Sequence, residues 1–162
     1  MVENVKKDSY NKCSALAVKQ LMEDTALMDN NTSSQSNINT MRSVLQPALG
    51  LSTSSFIKIP SLYKPTTQVI SQNPLITRTA DVAHIPGMVN CFVDGTKIIM
   101  AKPFGPKDDS GKNVLKEYVK RQLPGCTIQF VDDWTFYHIQ DGEIHCGTNA
   151  TRTPPTVKWW AE

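Results

Sequence analysis

The chain has 162 residues, of which 40% are hydrophobic and 20% are charged, and its formal net charge is +2 at neutral pH. This length and composition are typical of a globular domain with a sizeable core, and the small net charge gives no reason to expect a nucleic-acid partner. The sequence has no apolar run that could cross a membrane and no N-terminal signal peptide, so it predicts a cytoplasmic protein without a membrane partner.

The N-terminal part is predicted to hold two helices separated by a loop. Apolar residues recur at helical spacing over residues 9–28, which predicts an amphipathic helix. A run of Asn, Thr, Ser and Gln follows and predicts a flexible polar loop over residues 29–39. Residues 39–49 are predicted to form the second helix, with Pro47 at an unfavourable interior position.

The middle of the chain predicts a short strand, an irregular connection and a hairpin. Residues 56–60, Phe-Ile-Lys-Ile-Pro, predict a short strand ended by a proline. Prolines and polar residues over 64–74 predict an irregular connection. Two apolar segments within residues 88–101 flank Asp94-Gly95, a dipeptide that favours a tight turn. A β-hairpin is therefore predicted over residues 88–101.

The C-terminal part predicts a helix, a strand and a polar loop. Prolines make residues 102–106 non-helical, and an apolar face opposite several lysines predicts a helix over residues 114–123. Residues 126–131 are predicted to form a strand. Asp132 and Asp133 at its end are interpreted as solvated caps before a turn, the alternative being a substrate-binding strand end. The order hairpin, helix, strand and loop predicts an α/β fold class.

Cys146 lies in a sequence setting that suits a nucleophile. Gly142 and Gly147 bracket it and allow a tight backbone turn, and a histidine precedes it. The other cysteines are widely spaced and form no C-x-x-C pair, so neither a disulfide framework nor a metal site is predicted. Cys91 and Cys126 adjoin strand-like sequence and are interpreted as small buried apolar residues.

A family resemblance extends over most of the chain. Residues 143–149, Glu-Ile-His-Cys-Gly-Thr-Asn, and the later Lys158-Trp159-Trp160 resemble the C-terminal end of the protein-arginine deiminases, which convert peptidyl-arginine to peptidyl-citrulline. Further segments match in the same order at residues 49–62, 85–90, 102–106 and 130–139. The resemblance implies that residues 1–162 are the C-terminal fragment of a deiminase catalytic domain, folded as a partial pentein β/α-propeller of ββαβ modules.

The resemblance also implies the chemistry and the missing parts. It assigns Cys146 the role of the nucleophile that attacks the guanidinium of a protein or peptide arginine. The family's acid–base histidine belongs to a His-x-Asp motif, which this sequence lacks: its histidines are followed two places on by Pro86, Gln140 and Gly147. A missing upstream segment or a homo-oligomer would have to complete the site. The family depends on calcium, and the ligands for this implied cofactor are expected outside this chain.

Three further features carry sequence-based interpretations. Gln140-Asp141 stands where the family has a basic substrate entrance. His145 is predicted to have an orienting or packing role, because adjacent residues on an extended segment point to opposite faces. Trp159 and Trp160 are predicted to anchor the C-terminal tail by hydrophobic contact.

Two alternatives remain beside the calcium-dependent protein-arginine deiminase. The chain could be a catalytically incomplete remnant or interaction module of that family, which the missing His-x-Asp favours and the intact Cys146 loop opposes. A relative that acts on free amino acids or agmatine would share the glycine, histidine and cysteine but would not be expected to share the Lys-Trp-Trp ending.

Overall fold

The structure, a computed structural model, describes residues 18–154 and 156–157. Its class is mixed α/β, with two small sheets. None of the helices in this part of the chain has the length and apolar character of a membrane span. The elements in chain order are α1 (Val18–Glu23), α2 (Thr25–Ala48), β1 (Tyr63–Gln72), β2 (Leu75–Ala83), β3 (Phe92–Asp94), β4 (Lys97–Ala101), α3 (Val114–Gln122) and β5 (Thr127–Val131).

The polar run of residues 29–39 lies inside α2, so the predicted loop is wrong. The helix begins after Asp24, whose carboxylate accepts the N–H of Leu27 at 2.9 Å and caps the helix. The second predicted helix is the C-terminal part of α2, with Pro47 in its last turn. Of the helix predicted over residues 9–28, the described part is helical except for the break at Asp24, and the remainder lies outside the described residues.

Long-range hydrogen bonds explain why this polar run is helical. The Asn31 side chain accepts the N–H of Tyr63 at 2.8 Å and donates to the carbonyl of Tyr63 at 2.9 Å. Buried Ser34 donates to the carboxylate of Asp81 at 2.8 Å. These contacts fasten α2 to β1 and β2, so tertiary structure outweighs the low helix propensity of Asn and Ser.

The first sheet is a long antiparallel hairpin of β1 and β2, in which Tyr63 faces Ala83 and Gln72 faces Leu75. The irregular connection predicted over residues 64–74 is therefore wrong. Each strand of a two-stranded sheet has a free edge, so Pro65 fits in β1 without interrupting the sheet. Residues 56–60, predicted as a strand, have no strand partner in the described structure and are irregular.

The second sheet has the strand order β3-β4-β5, with β3 antiparallel and β5 parallel to β4. Helix α3 connects the two parallel strands, so the predicted order hairpin, helix, strand and loop is confirmed. The hairpin is shorter than predicted, since residues 88–91 are not part of a strand. Its two-residue turn is Gly95-Thr96, one residue later than predicted, and Gly95 has a positive φ of 57°.

The core of this ββαβ unit is formed by side chains from the sheet, the helix and the segment before β3. Its buried members are Met88, Ile98, Met100 and Val119. Cys91 and Cys126 contact this core but are only half-buried. Burial raises the pKa of the Cys91 thiol, as expected for a structural cysteine rather than a reactive one.

Truncation of a core methionine should test this assignment. Met100 is 1% exposed, whereas Met41 on α2 is 57% exposed. We expect Met100→Ala to lower the free energy of unfolding by about 2–5 kcal/mol, because a buried cavity replaces the side chain, and Met41→Ala by less than about 0.5 kcal/mol. Urea denaturation of both variants measures the difference. Equal costs would show that Met100 is not in the core.

Candidate active site around Cys146

The loop after β5 carries Cys146 in a single 3₁₀ turn, His145–Gly147. The backbone N–H of Cys146 donates to the carbonyl of Glu143 at 3.1 Å, and that of Gly147 donates to the carbonyl of Ile144 at 3.2 Å. The thiol is exposed. Cys146 therefore lies neither in an α-helix nor in an apolar core, and its position after the strand agrees with the sequence-based expectation.

The turn at Cys146 is tight, as predicted, although its glycines do not adopt the left-handed conformation. The left-handed residue of the loop is Asp141, with a φ of 59°, and neither Gly142 nor Gly147 has a positive φ. Gly147 lies close to an aromatic ring, which a larger residue would have to displace. A Cβ atom there would lie 2.5 Å from the hydroxyl oxygen of Tyr137, well inside van der Waals contact. A Cβ atom at Gly142 would meet its neighbours at ordinary contact distances of 3.5 Å or more. The close approach of an aromatic ring therefore accounts for a glycine at position 147 but not at position 142.

Asn90 is the side chain that contacts the thiol. Its Nδ2 donates to Sγ of Cys146 at 3.4 Å, and its backbone carbonyl accepts the N–H of His145 at 3.3 Å. Hydrogen bonds from the backbone of Glu143 and from the Asn90 amide hold the pKa of the Cys146 thiol below its usual value. Sequence reasoning assigned Asn90 no role, although it ends the matched segment 85–90. The arrangement favours the thiolate, which is the reactive form of cysteine.

Removal of this donor should make the thiol less reactive. We expect Asn90→Ala to lower the rate of Cys146 alkylation by iodoacetamide at pH 7 by roughly three- to tenfold, because less thiolate is present. Peptide mass spectrometry resolves Cys146 from the other cysteines. Asn149→Ala, a change of the same kind at an exposed residue of the same loop, is the control and should leave the rate unchanged. Equal alkylation rates in the two variants would show that Asn90 does not influence the Cys146 thiol.

A buried polar cluster lies behind the turn. Oε1 of Glu143 and Nδ1 of His138 form a hydrogen bond of 2.9 Å, and both residues are buried. Asp133 is 1% exposed, so its interpretation as a solvated cap is wrong. Asp132 does behave as a cap: it is exposed, accepts the N–H of Trp134 at 3.3 Å and lies 3.6 Å from the Lys102 ammonium.

The electrostatics of Asp133 follow from this burial. Desolvation, together with the hydrogen bond and the charge of Glu143, raises the pKa of Asp133 to about 8. The carboxyl is therefore mostly protonated at neutral pH. The only sequence signal for this cluster was the spacing of His138 and Glu143 on one polar loop, which did not reveal their burial.

His145 lies beside a groove of about 440 Å³ whose lining includes Cys91, Val93 and Arg152. Arg152 donates to the carbonyl of Val93 at 3.4 Å. The thiol of Cys146 does not line this groove. The side chains of His145 and Cys146 were predicted to point to opposite faces of an extended segment. That reason is wrong, because the segment is a 3₁₀ turn.

The described residues do not provide a calcium site. In the part of the chain that the structure describes, no three His, Cys, Asp or Glu side chains are grouped so that they could hold a metal ion. The Trp159-Trp160 anchor predicted for the tail lies outside the described residues.

Comparison with known proteins gives this mixed α/β chain a family. A family model described as protein-arginine deiminase matches residues 1–161. The chain therefore belongs to the protein-arginine deiminase family.

The relatives are much longer than this chain. Rat protein-arginine deiminase type-3 is 37% identical over 147 residues, which are 90% of this chain and 20% of the relative. Human type-4 is 34% identical over 162 residues, or 99% of this chain and 22% of the relative. Mouse type-4 is 37% identical over 88% of this chain and 21% of its own length. The chain thus spans about a fifth of the curated relatives that it matches.

Proposed function

We propose that this chain is the nucleophile-bearing part of a protein-arginine deiminase, which hydrolyses peptidyl-arginine to peptidyl-citrulline and ammonia, and that Cys146 is the nucleophile. The observation that carries the proposal is the exposed Cys146 thiol on a turn, hydrogen-bonded by Asn90, in a chain that belongs to this family. The lowered pKa of the thiol supports it.

The reaction requires two covalent steps. The Cys146 thiolate forms a C–S bond to the guanidinium carbon, a proton donor protonates the departing nitrogen, and ammonia leaves. Water then adds to the thiouronium carbon and the C–S bond breaks, which yields the urea of citrulline and restores the thiol. Asn90 holds the sulfur during attack, and the backbone of Glu143 contributes the second hydrogen bond.

The proton donor and the carboxylates that hold the guanidinium are assigned to another segment. The sequence has no His-x-Asp, and the carboxyls of Asp133 and Glu143 are buried. We propose that an upstream segment or a second copy of the chain supplies these groups. Calcium, on which the family depends, would likewise be held by residues outside the described part.

The fold supports a place within a larger assembly of modules. The sheet order β3-β4-β5, with a helical crossover between parallel strands, is the ββαβ unit expected of a pentein propeller. The outer strands β3 and β5 leave edges at which neighbouring modules could pair. A cytoplasmic location is part of the same proposal and rests on the sequence alone.

The second candidate is a catalytically incomplete family member that serves as an interaction module. The missing His-x-Asp favours it. In that case the hydrogen bond between Asn90 and Cys146 would stabilise the loop, and the protein would not hydrolyse arginine.

A labelling experiment tests the proposed role of Cys146. Iodoacetamide alkylation is followed against pH in this chain and in a longer protein that also carries a His-x-Asp segment. We expect faster alkylation near neutral pH in the longer protein, because a nearby cationic histidine stabilises the thiolate. Identical pH profiles, together with no citrulline from the longer protein, would favour the second candidate.

A further inference from the structure

The buried cluster behind the Cys146 turn has no part in the covalent steps, yet it is connected to the turn through one residue. Glu143 is 6% exposed, and its carbonyl accepts the N–H of Cys146 at 3.1 Å. The side chain of the same residue points inward and binds His138 at 2.9 Å. Glu143 therefore joins the backbone of the turn to the protein interior.

Glu143 also contacts the second segment that holds the thiol. A Cβ atom at Gly87 would lie 3.6 Å from Oε1 of Glu143, so the carboxyl lies directly against the segment that ends in Asn90. Glu143 thus contacts both segments: its backbone carbonyl holds the cysteine turn, and its side chain lies against the segment that supplies the hydrogen-bond donor Asn90. Movement of Glu143 would change the distance between Asn90 and Cys146.

The partners of Glu143 are themselves fixed. The backbone N–H of His138 donates to the carbonyl of Asp133 at 3.1 Å. The His138 ring lies against the indole of Trp134, with 4.7 Å between ring centroids. Asp133, at the end of β5, contributes the second carboxyl of the cluster.

We propose that Glu143 is a positioning residue: held by its hydrogen bond to His138 and packed against the segment that ends in Asn90, it fixes the turn that presents Cys146 to substrate. The proposal rests on the proposed function only in taking Cys146 as the nucleophile. In this proposal Glu143 and His138 position the cysteine turn and do not contact the arginine.

The second buried carboxyl of the cluster, Asp133, makes this arrangement depend on pH. With both carboxyls ionised, the two oxygens of Asp133 and Oε2 of Glu143 have no hydrogen-bond donor. A proton on Asp133 gives Glu143 that donor and removes one of two like charges. Burial and Glu143 raise the pKa of Asp133 to about 8, so the proton is held at neutral pH and lost in mildly alkaline solution.

The surrounding charges do not replace this proton. Asp132 adds a third negative charge nearby and is paired outward with Lys102. His138 is already bound to the other oxygen of Glu143. His84, after β2, lies near His138, and burial lowers the pKa of its ring, which keeps it neutral. Above about pH 8 the pair should repel and the turn should loosen.

Amide hydrogen exchange and Cys146 alkylation together test the proposal without any measurement of citrulline. The full chain is compared with Glu143→Ala, which removes the side chain, and Glu143→Gln, whose amide oxygen can still accept from His138 and whose amide N–H can donate to Asp133, without the charge. Asp141→Asn is the matched control, because it makes the same carboxylate-to-amide change on the same loop at an exposed left-handed position that Asn tolerates. Protection factors are measured for residues 144–148.

In Glu143→Ala we expect protection of residues 144–148 to fall at least about tenfold and the alkylation profile of Cys146 to return to that of an ordinary cysteine, with its midpoint near pH 8.5. Glu143→Gln and Asp141→Asn should match the parent protein at pH 7. Unchanged protection and an unchanged profile in Glu143→Ala would overturn the proposal, whatever the longer protein does to arginine.

A second variant decides the matter if Glu143→Ala does not fold. Between pH 7 and pH 9 the protection factors of residues 144–148 should fall about tenfold in the parent protein and stay constant in Asp133→Asn, which cannot acquire a second charge. The same pH dependence in both proteins would overturn the proposal.

Discussion

Cys146→Ser should lower citrulline formation at least about a thousandfold in a longer protein that carries this chain and a His-x-Asp segment, because a hydroxyl is a far weaker nucleophile than a thiolate. This chain alone should release citrulline only at background from a benzoyl-arginine peptide with calcium present. Catalytic groups that act as a unit are non-additive, so the loss of the proton donor costs nearly as much as the loss of all of them. Ammonia and citrulline assays of both proteins measure the effect.

The control is Cys126→Ser, the same atomic change at a half-buried cysteine on the core of the ββαβ unit. It should alter turnover by no more than about twofold after correction for the folded fraction. Robust turnover by this chain alone, abolished by Cys146→Ser, would contradict the expectation and would show that the chain or its homo-oligomer completes the site.

The stability of the chain should fall as pH rises from about 4 to about 8, through the titration of Asp133. Its pKa is raised from 3.8 to about 8 by burial and by Glu143. Between these values the native state holds a proton that the unfolded state has released, so the free energy of unfolding decreases with pH. We expect a loss on the order of a few kcal/mol across this window, measured by urea denaturation at a series of pH values.

Asp133→Asn should remove most of that slope, since the amide has no proton to lose. Asp132→Asn, next to it in sequence but exposed, should retain the slope of the parent protein. If the parent protein and Asp133→Asn lose stability in parallel, Asp133 is ionised at neutral pH in the native state and the carboxyl pair is not a shared-proton pair.

Elements with strong local signals could be predicted from the sequence. Helix α3 has an apolar face, a cap at Asn113 that accepts the N–H of Lys116 at 2.9 Å, and a Pro-Gly terminator. Strand β5 is a short apolar run, and the β3–β4 hairpin has a glycine turn. These signals lie within a few residues of one another, so no knowledge of distant contacts is needed to interpret them.

The missed elements depend on partners far along the chain. The polar run in α2 became helical through contacts with residues about 30 to 50 positions away. In the site, the turn of Cys146 was found from its resemblance and its flanking residues, whereas Asn90 reaches the thiol from 56 positions upstream. The burial of Asp133 was missed for a different reason: a carboxylate next to a turn is usually solvated.

The amide of Asn31 stands in for a neighbouring strand at the first residue of β1, since it satisfies both the N–H and the carbonyl of Tyr63. Helix α2 therefore serves as a polar clamp that terminates the edge of the first sheet. Alanine substitutions that stabilise an ordinary surface helix should therefore destabilise the protein here. Alanine at Asn31 or Ser34 would strengthen the helix in isolation but release the hairpin, so the polar composition of this segment is itself a structural requirement.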